Sequence, residues 1–174
     1  IYGIISGWRR VFVSSALAFC LSSAATAQGV DVSEQLAPTS PVELARYLAV
    51  GDVVFIRVSA LPFKKVASAT QSWTNHVGVV ISVSGAEPLI GESTFPFSRA
   101  TPLSRFVARS ESGRIEVRRL NVPLSTQQQV AIFQAAQKRM GIFYDTGFSL
   151  QSKREFCSRY VREVLSEATG IEIG

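Results

Sequence analysis

The strongest constraint on this sequence is the scarcity of its two most reactive side chains. His76 is the one histidine, and Cys157 is one of two cysteines. The other, Cys20, lies in a stretch read below as a cleaved export signal. Its loss leaves Cys157 without a disulfide partner in the chain, and any Cys–His pair must then join Cys157 to His76. Such a pair requires a fold that carries the head of an apolar strand to the start of a helix. His76-Val77-Gly78-Val79-Val80-Ile81-Ser82-Val83 is short and β-branched, and reads as a buried strand. In Ser152-Lys153-Arg154-Glu155-Phe156-Cys157-Ser158-Arg159-Tyr160-Val161, the Ser152/Glu155 spacing is that of a capping box. It predicts a helix from near Lys153 to Gly170, with Cys157 in or near the first turn. Free N–H groups and the helix dipole favour a thiolate there. Cys157, Val161, Val164 and Ala168 share one side of that helix, so an inert core cysteine explains the pattern as well as a nucleophile does.

Residues 1–27 read as a signal peptide. Arg9 and Arg10 precede the apolar stretch Val11–Leu21, and Ala25-Thr26-Ala27 supplies small residues for cleavage after Ala27. The paired arginines suit both the general and the twin-arginine export routes. The apolar run is shorter than the ~20 residues of a spanning helix, so no membrane span is expected after processing. Localisation is therefore expected to be periplasmic or secreted. The +5 formal charge is scattered rather than gathered into a basic run, which argues against a nucleic-acid partner.

Residues 28–40 are polar and read as a linker, leaving 41–174 as one domain. Ser40-Pro41-Val42-Glu43 predicts a short helix to about Leu48, ended by Gly51-Asp52. Val53–Val58 reads as a buried strand and Phe63–Trp73 as a helix. The strand at His76 is expected to pair, through a turn at Gly85, with a third across Pro88–Thr94. Pro102–Arg109 reads as a helix with Leu103, Phe106 and Val107 inward, and Ile115–Leu120 as a half-exposed strand. Ser125 and Gln128 suggest another capping box, opening a helix whose apolar stripe is Ile132, Phe133, Ala136 and Met140 and which ends at Gly141.

His76 follows Trp73-Thr74-Asn75 at a strand entrance, where an imidazole can face a cleft and accept a thiol proton. A third group must fix its tautomer. Glu92, in Leu89-Ile90-Gly91-Glu92-Ser93, lies on the strand expected to pair with the histidine's; solvent exposure or a structural ion pair would equally explain a carboxylate there. One histidine and one cysteine make too poor a ligand set for a metal, and no cofactor is indicated.

Gly51-Asp52-Val53-Val54-Phe55, Thr74-Asn75-His76-Val77-Gly78-Val79-Val80, Gly91-Glu92-Ser93 and Phe156-Cys157-Ser158-Arg159-Tyr160-Val161 together resemble the ordered motifs of the permuted NlpC-type cysteine peptidases, in their YiiX/YebB-like group. The resemblance runs from about Ala49 to Gly170. It implies an α+β, circularly permuted papain-like fold in which a short antiparallel sheet packs against the nucleophile helix, and a domain that continues past Gly174. Carried over, Cys157 matches the nucleophile, His76 the base and Glu92 the orienting residue, while Asp52 matches a structural turn residue. Tyr144, in a Tyr-Asp pair ahead of the cysteine, could bind an oxyanion or line the cleft, or simply pack. The expected activity is cysteine hydrolysis of an amide or acyl bond through a thioacyl intermediate, with peptidoglycan peptide as the substrate. A lipid acyl hydrolase or acyltransferase and a non-catalytic binding module are the alternatives.

Overall fold

Alternate residues of the strand that begins at His76 enter two different cores, and the rest of the fold is layered around it. The computed structural model describes residues 8–10, 40–60, 63–64 and 71–173. In chain order the strands are β1 (Trp8–Arg10), β2 (Val53–Val58), β3 (His76–Ser82), β4 (Leu89–Glu92), β5 (Arg99–Pro102) and β6 (Ser110–Leu120). The helices are α1 (Pro41–Ala45), α2 (Leu103–Val107), α3 (Thr126–Lys138) and α4 (Cys157–Thr169). The strands form one antiparallel sheet in the order β1-β6-β2-β3-β4-β5.

Period-two alternation sends Val77, Val79 and Ile81 of β3 into a core with Ile132, Ala135 and Ala136 of α3 and Tyr160, Val161, Val164 and Leu165 of α4. Val80, with Val54 and Ile56 of β2, enters the other core, built with Leu44 of α1 and Leu103, Phe106 and Val107 of α2. The expected α+β architecture is therefore present. The sheet is broader than anticipated, and helices cover both of its faces. Gly78 makes this layering possible at one tight point. A Cβ there would lie 2.4 Å from Ile90 Cγ2 and 3.0 Å from the Phe106 ring.

Several expectations hold in detail. Ser40 caps α1 by accepting from the Glu43 N–H at 3.1 Å, β3 pairs with β4, and Ser125 and Gln128 form a reciprocal capping box on α3. The Asp52 turn is also structural: its carboxylate accepts from the Ala49 N–H and from the Arg119 guanidinium.

Other elements differ. α1 ends at Ala45 rather than near Leu48. β5 went unanticipated because its sequence carries no apolar alternation, and Thr101 is its one buried residue. β6 begins at Ser110 rather than Ile115. On α3, Ala135 takes the core position expected for Phe133, which is 40% exposed. Of the helix expected over 63–73, Phe63 and Lys64 are helical, Gln71–Asn75 are not, and residues 65–70 lie outside the described residues. Within the segment read as a signal peptide, Trp8–Arg10 pair with Leu120–Arg118 at the sheet edge. The remainder of that segment and linker positions 28–39 also lie outside the described residues.

Gly78→Val tests the two-core packing. The branched side chain is expected to cost about 2 kcal/mol or more in chemical denaturation, as overpacking of a close-packed core does. An unchanged midpoint would contradict the close approach of Phe106 and Ile90.

Candidate active site

The nucleophile candidate owes its position to a helix that starts later than the capping-box spacing suggests. α4 begins at Cys157, with Phe156 as its N-cap and no side-chain cap. Ser152 and Glu155 are diverted to other partners. The Ser152 hydroxyl accepts from the Arg154 N–H at 3.0 Å. Glu155 joins a short parallel ladder with Tyr144, in which its N–H donates to the Phe143 carbonyl at 3.0 Å and its carbonyl accepts from the Asp145 N–H at 2.8 Å. The Arg159 guanidinium donates to the carbonyls of Ser149, Ser152 and Arg154, gathering the loop before the helix. The result is a cysteine at the first helical position, where no side chain competes for the free N–H groups.

Cys157 is buried, with 5% of its surface exposed. Burial pushes its thiol up, but the neighbouring His76, with backbone N–H groups of Val77 and Ser158, brings it below its ordinary value.

β3 supplies the second group. The His76 side chain is fully buried, its ring 5.1 Å from that of Phe63 and 5.6 Å from that of Phe106. Nε2 lies 2.5 Å from Glu92 Oε2. Nδ1 is buried without a well-aligned partner, so with Nε2 committed to Glu92 it is the nitrogen left for the thiol. Burial alone would lower the imidazole's affinity for a proton. The nearby Cys157 sulfur and the hydrogen-bonded Glu92 carboxylate raise it above the ordinary 6.5. A raised imidazole and a lowered thiol both favour a thiolate–imidazolium pair.

Glu92 is delivered by the β3–β4 register expected from sequence, but its surroundings are richer than the sequence suggested. Thr101 Oγ1 donates to Oε1 at 2.6 Å, and the Arg109 guanidinium donates to Oε1 at 2.8 Å and Oε2 at 2.7 Å. Neither partner carried a sequence signal. Thr101 sits on the unanticipated β5, and Arg109 looked like an ordinary basic residue at a helix end. Burial pushes the Glu92 carboxyl up, but the hydrogen bond and charge of His76, with Arg109 and Thr101, bring it down from 4.5 to about 2.

Tyr144 also reaches the site. It is buried, and its phenol interacts with the Cys157 thiol. Burial and the neighbouring sulfur hold that phenol above its ordinary value, so it remains a proton donor at neutral pH. The structure thus brings together all four site residues read from the sequence. The sequence model of the family described as permuted papain-like amidase enzyme, YaeF/YiiX, C92 family, matches residues 47–174. The chain belongs to this family. A curated relative, described as the uncharacterized protein YiiX of Escherichia coli strain K12, is 32% identical over 124 residues, which span 71% of this chain and 60% of the relative. A crystal structure described as that of the metalloprotein yiiX from Escherichia coli O157:H7 matches with a TM-score of 0.67 at 31% identity. It covers 72% of this chain and 68% of that one. The permuted papain-like family accounts for the chain order, with the histidine strand and the carboxylate ahead of the cysteine helix.

Glu92 also ties stability to acid. A carboxyl depressed from 4.5 to about 2 contributes stability that is fully present above 4.5 and lost as pH falls through about 2. Unfolding followed across that window should show about 3 kcal/mol of it disappearing. Glu92→Gln, which cannot titrate there, should be less stable at neutral pH but flatter in acid. Parallel curves for the two proteins would contradict the depressed carboxyl.

Proposed function

We propose that the chain is an exported cysteine hydrolase that cleaves an amide bond through a thioacyl intermediate, and that its substrate is the peptide of peptidoglycan. The observation that carries this reading is the buried Cys157–His76–Glu92 arrangement, with the thiol lowered and the imidazole raised before any substrate is present. The thiolate of Cys157 attacks the carbonyl carbon, and the oxygen takes the negative charge. The Cys157 backbone N–H, which has no acceptor within its own helix, and the Tyr144 hydroxyl are the donors for that oxyanion. His76 gives its proton to the departing amine as the C–N bond breaks, leaving a thioester. His76 then takes a proton from water, whose oxygen attacks the thioester, expelling the Cys157 thiolate and releasing the carboxylic acid, so that the thiolate and the protonated imidazole are both restored. Glu92 holds Nε2 throughout, fixing the tautomer and the ring orientation.

The export step rests on Arg9 and Arg10 ahead of an apolar run and on Ala25-Thr26-Ala27. Cleavage after Ala27 removes β1 and leaves β6 as the sheet edge, where Arg114, Arg118 and Arg119 discourage pairing with another chain. In a bacterial periplasm the accessible amides are those of the cell-wall peptide. The curated relative is described as uncharacterized, and this chain spans about 60% of its length.

One observation favours a second reading, hydrolysis or transfer of a lipid acyl group. Phe95, Phe97, Phe143, Phe148 and Leu150 are exposed, and Phe97 pairs with Phe143 across an isolated bridge. Phe148 packs against Tyr144 and Phe156, so this apolar surface reaches the residue preceding Cys157. The related crystal structure is described as a metalloprotein. Among the described residues no group of three His, Cys, Asp or Glu side chains is placed to hold a metal ion. Glu92 is already taken up by Thr101, Arg109 and His76.

Purified peptidoglycan and phospholipid vesicles, each incubated with the protein and with Cys157→Ala, separate the readings. New amino termini should appear in the peptidoglycan digest, and the substitution should reduce their release by about a thousandfold or more. Fatty-acid release from vesicles without change in the peptidoglycan would replace the first reading with the second. Full activity in Cys157→Ala would overturn both.

A further inference from the structure

Beyond the triad, the arginine behind Glu92 has no role in the mechanism above. Arg109 follows α2, and its guanidinium lies 5.0 Å from the Phe106 ring centroid. It donates to both Glu92 oxygens at 2.8 and 2.7 Å, and another of its nitrogens reaches Thr94 Oγ1 at 3.5 Å. The Glu92 side chain is wholly shielded from water and that of Arg109 is 26% exposed, so water weakens this contact less than it would a surface pair. Arg109, Glu92 and His76 therefore lie in one hydrogen-bonded line, with Cys157 beyond the imidazole. A buried carboxylate acting alone would bind the imidazolium tightly and resist giving up its proton. In Cys–His–Asn enzymes a neutral amide stands behind the histidine.

We propose that Arg109 is a positioning residue that makes the Glu92–Arg109 pair act on His76 as a net-neutral hydrogen-bonding group, leaving the imidazole able to release its proton to a leaving group. The proposal rests on the reading of His76 as the acid and base of the site. The groups facing the pair are few. Thr101 donates to Glu92 from β5, and Arg99 of the same strand lies 3.9 Å away but is 44% exposed, so water screens it. Tyr160 of α4 also senses the Glu92 charge, and Cys157 and Glu92 are the partners of His76.

His76 is the one histidine, so its imidazole can be titrated by NMR without any substrate. A Cys157→Ala background keeps the thiol from titrating with it. Arg109→Met should move the imidazole midpoint up by about one unit, and Glu92→Gln should move it down. Arg109→Lys keeps the charge and should leave it near the parent. The double variant Glu92→Gln/Arg109→Met restores a neutral hydrogen-bonding group and should return the midpoint to within about half a unit of the parent. A midpoint unmoved or lowered by Arg109→Met, or a double variant displaced by more than about one unit, would overturn the proposal. Should Arg109→Met fail to fold, the double variant decides alone, because it removes the buried carboxylate and its paired charge together. The titration reads the imidazole itself, so its failure leaves the hydrolase reading standing, and an inactive enzyme leaves this proposal standing.

Discussion

The hydrogen bond between His76 and Glu92 is the interaction on which the rest of the structure depends. Both side chains are completely buried, and a carboxylate without water costs several kcal/mol unless its lone pairs are met by donors. The protein meets that demand from three directions, with the imidazole from β3, a hydroxyl from β5 and a guanidinium from beyond α2. The β3–β4–β5 register is thus also the assembly of a charged site. A one-residue slip of β4 would turn Glu92 to the other face and leave four polar groups stranded.

The sulfur side is built by different means. α4 is amphipathic, burying Cys157, Tyr160, Val161, Val164 and Leu165, and it is locked at its end by Gly170 in a left-handed conformation. Gly91, the neighbour of Glu92, allows the close approach of this helix: a Cβ there would lie 2.8 Å from the Tyr160 hydroxyl. Cys157 belongs to the core beneath α3 and α4, while Phe63, Phe106 and Tyr144 belong to the opposite one. The site lies where these two layers meet at the head of β3. That placement lets the sulfur be dry, near an imidazole and at a helix start at once, three conditions that together favour a thiolate.

Much of this was legible in residue pattern alone. β-branched runs marked β2 and β3, Ser125 and Gln128 marked the start of α3, and the scarcity of histidine and cysteine left one possible pair. The illegible parts share a physical cause, which is that they are decided by partners distant in sequence. Ser152 and Glu155 have the spacing of a capping box, but Glu155 gains more from laddering with Tyr144, so α4 begins at Cys157. β5 has no periodicity of its own and exists because β4 offers an edge. Phe133 has the right spacing for a core position, yet the close packing of α3 against α4 admits the small Ala135 and leaves the ring outside. Arg109 is the clearest case: nothing in its local sequence distinguishes a solvated helix-end arginine from the one that neutralises the site's carboxylate.

The central claim is that Cys157 and His76 rest as a thiolate–imidazolium pair. The most direct measurement is the ultraviolet thiolate absorbance across pH, taken as the difference between the protein and its Cys157→Ser variant so that Cys20 cancels. The account predicts that the Cys157 thiolate is already present at neutral pH, disappears only in acid, and in His76→Ala forms only under alkaline conditions. A thiolate that emerges in the unaltered protein only near the ordinary value of 9.0 would contradict it.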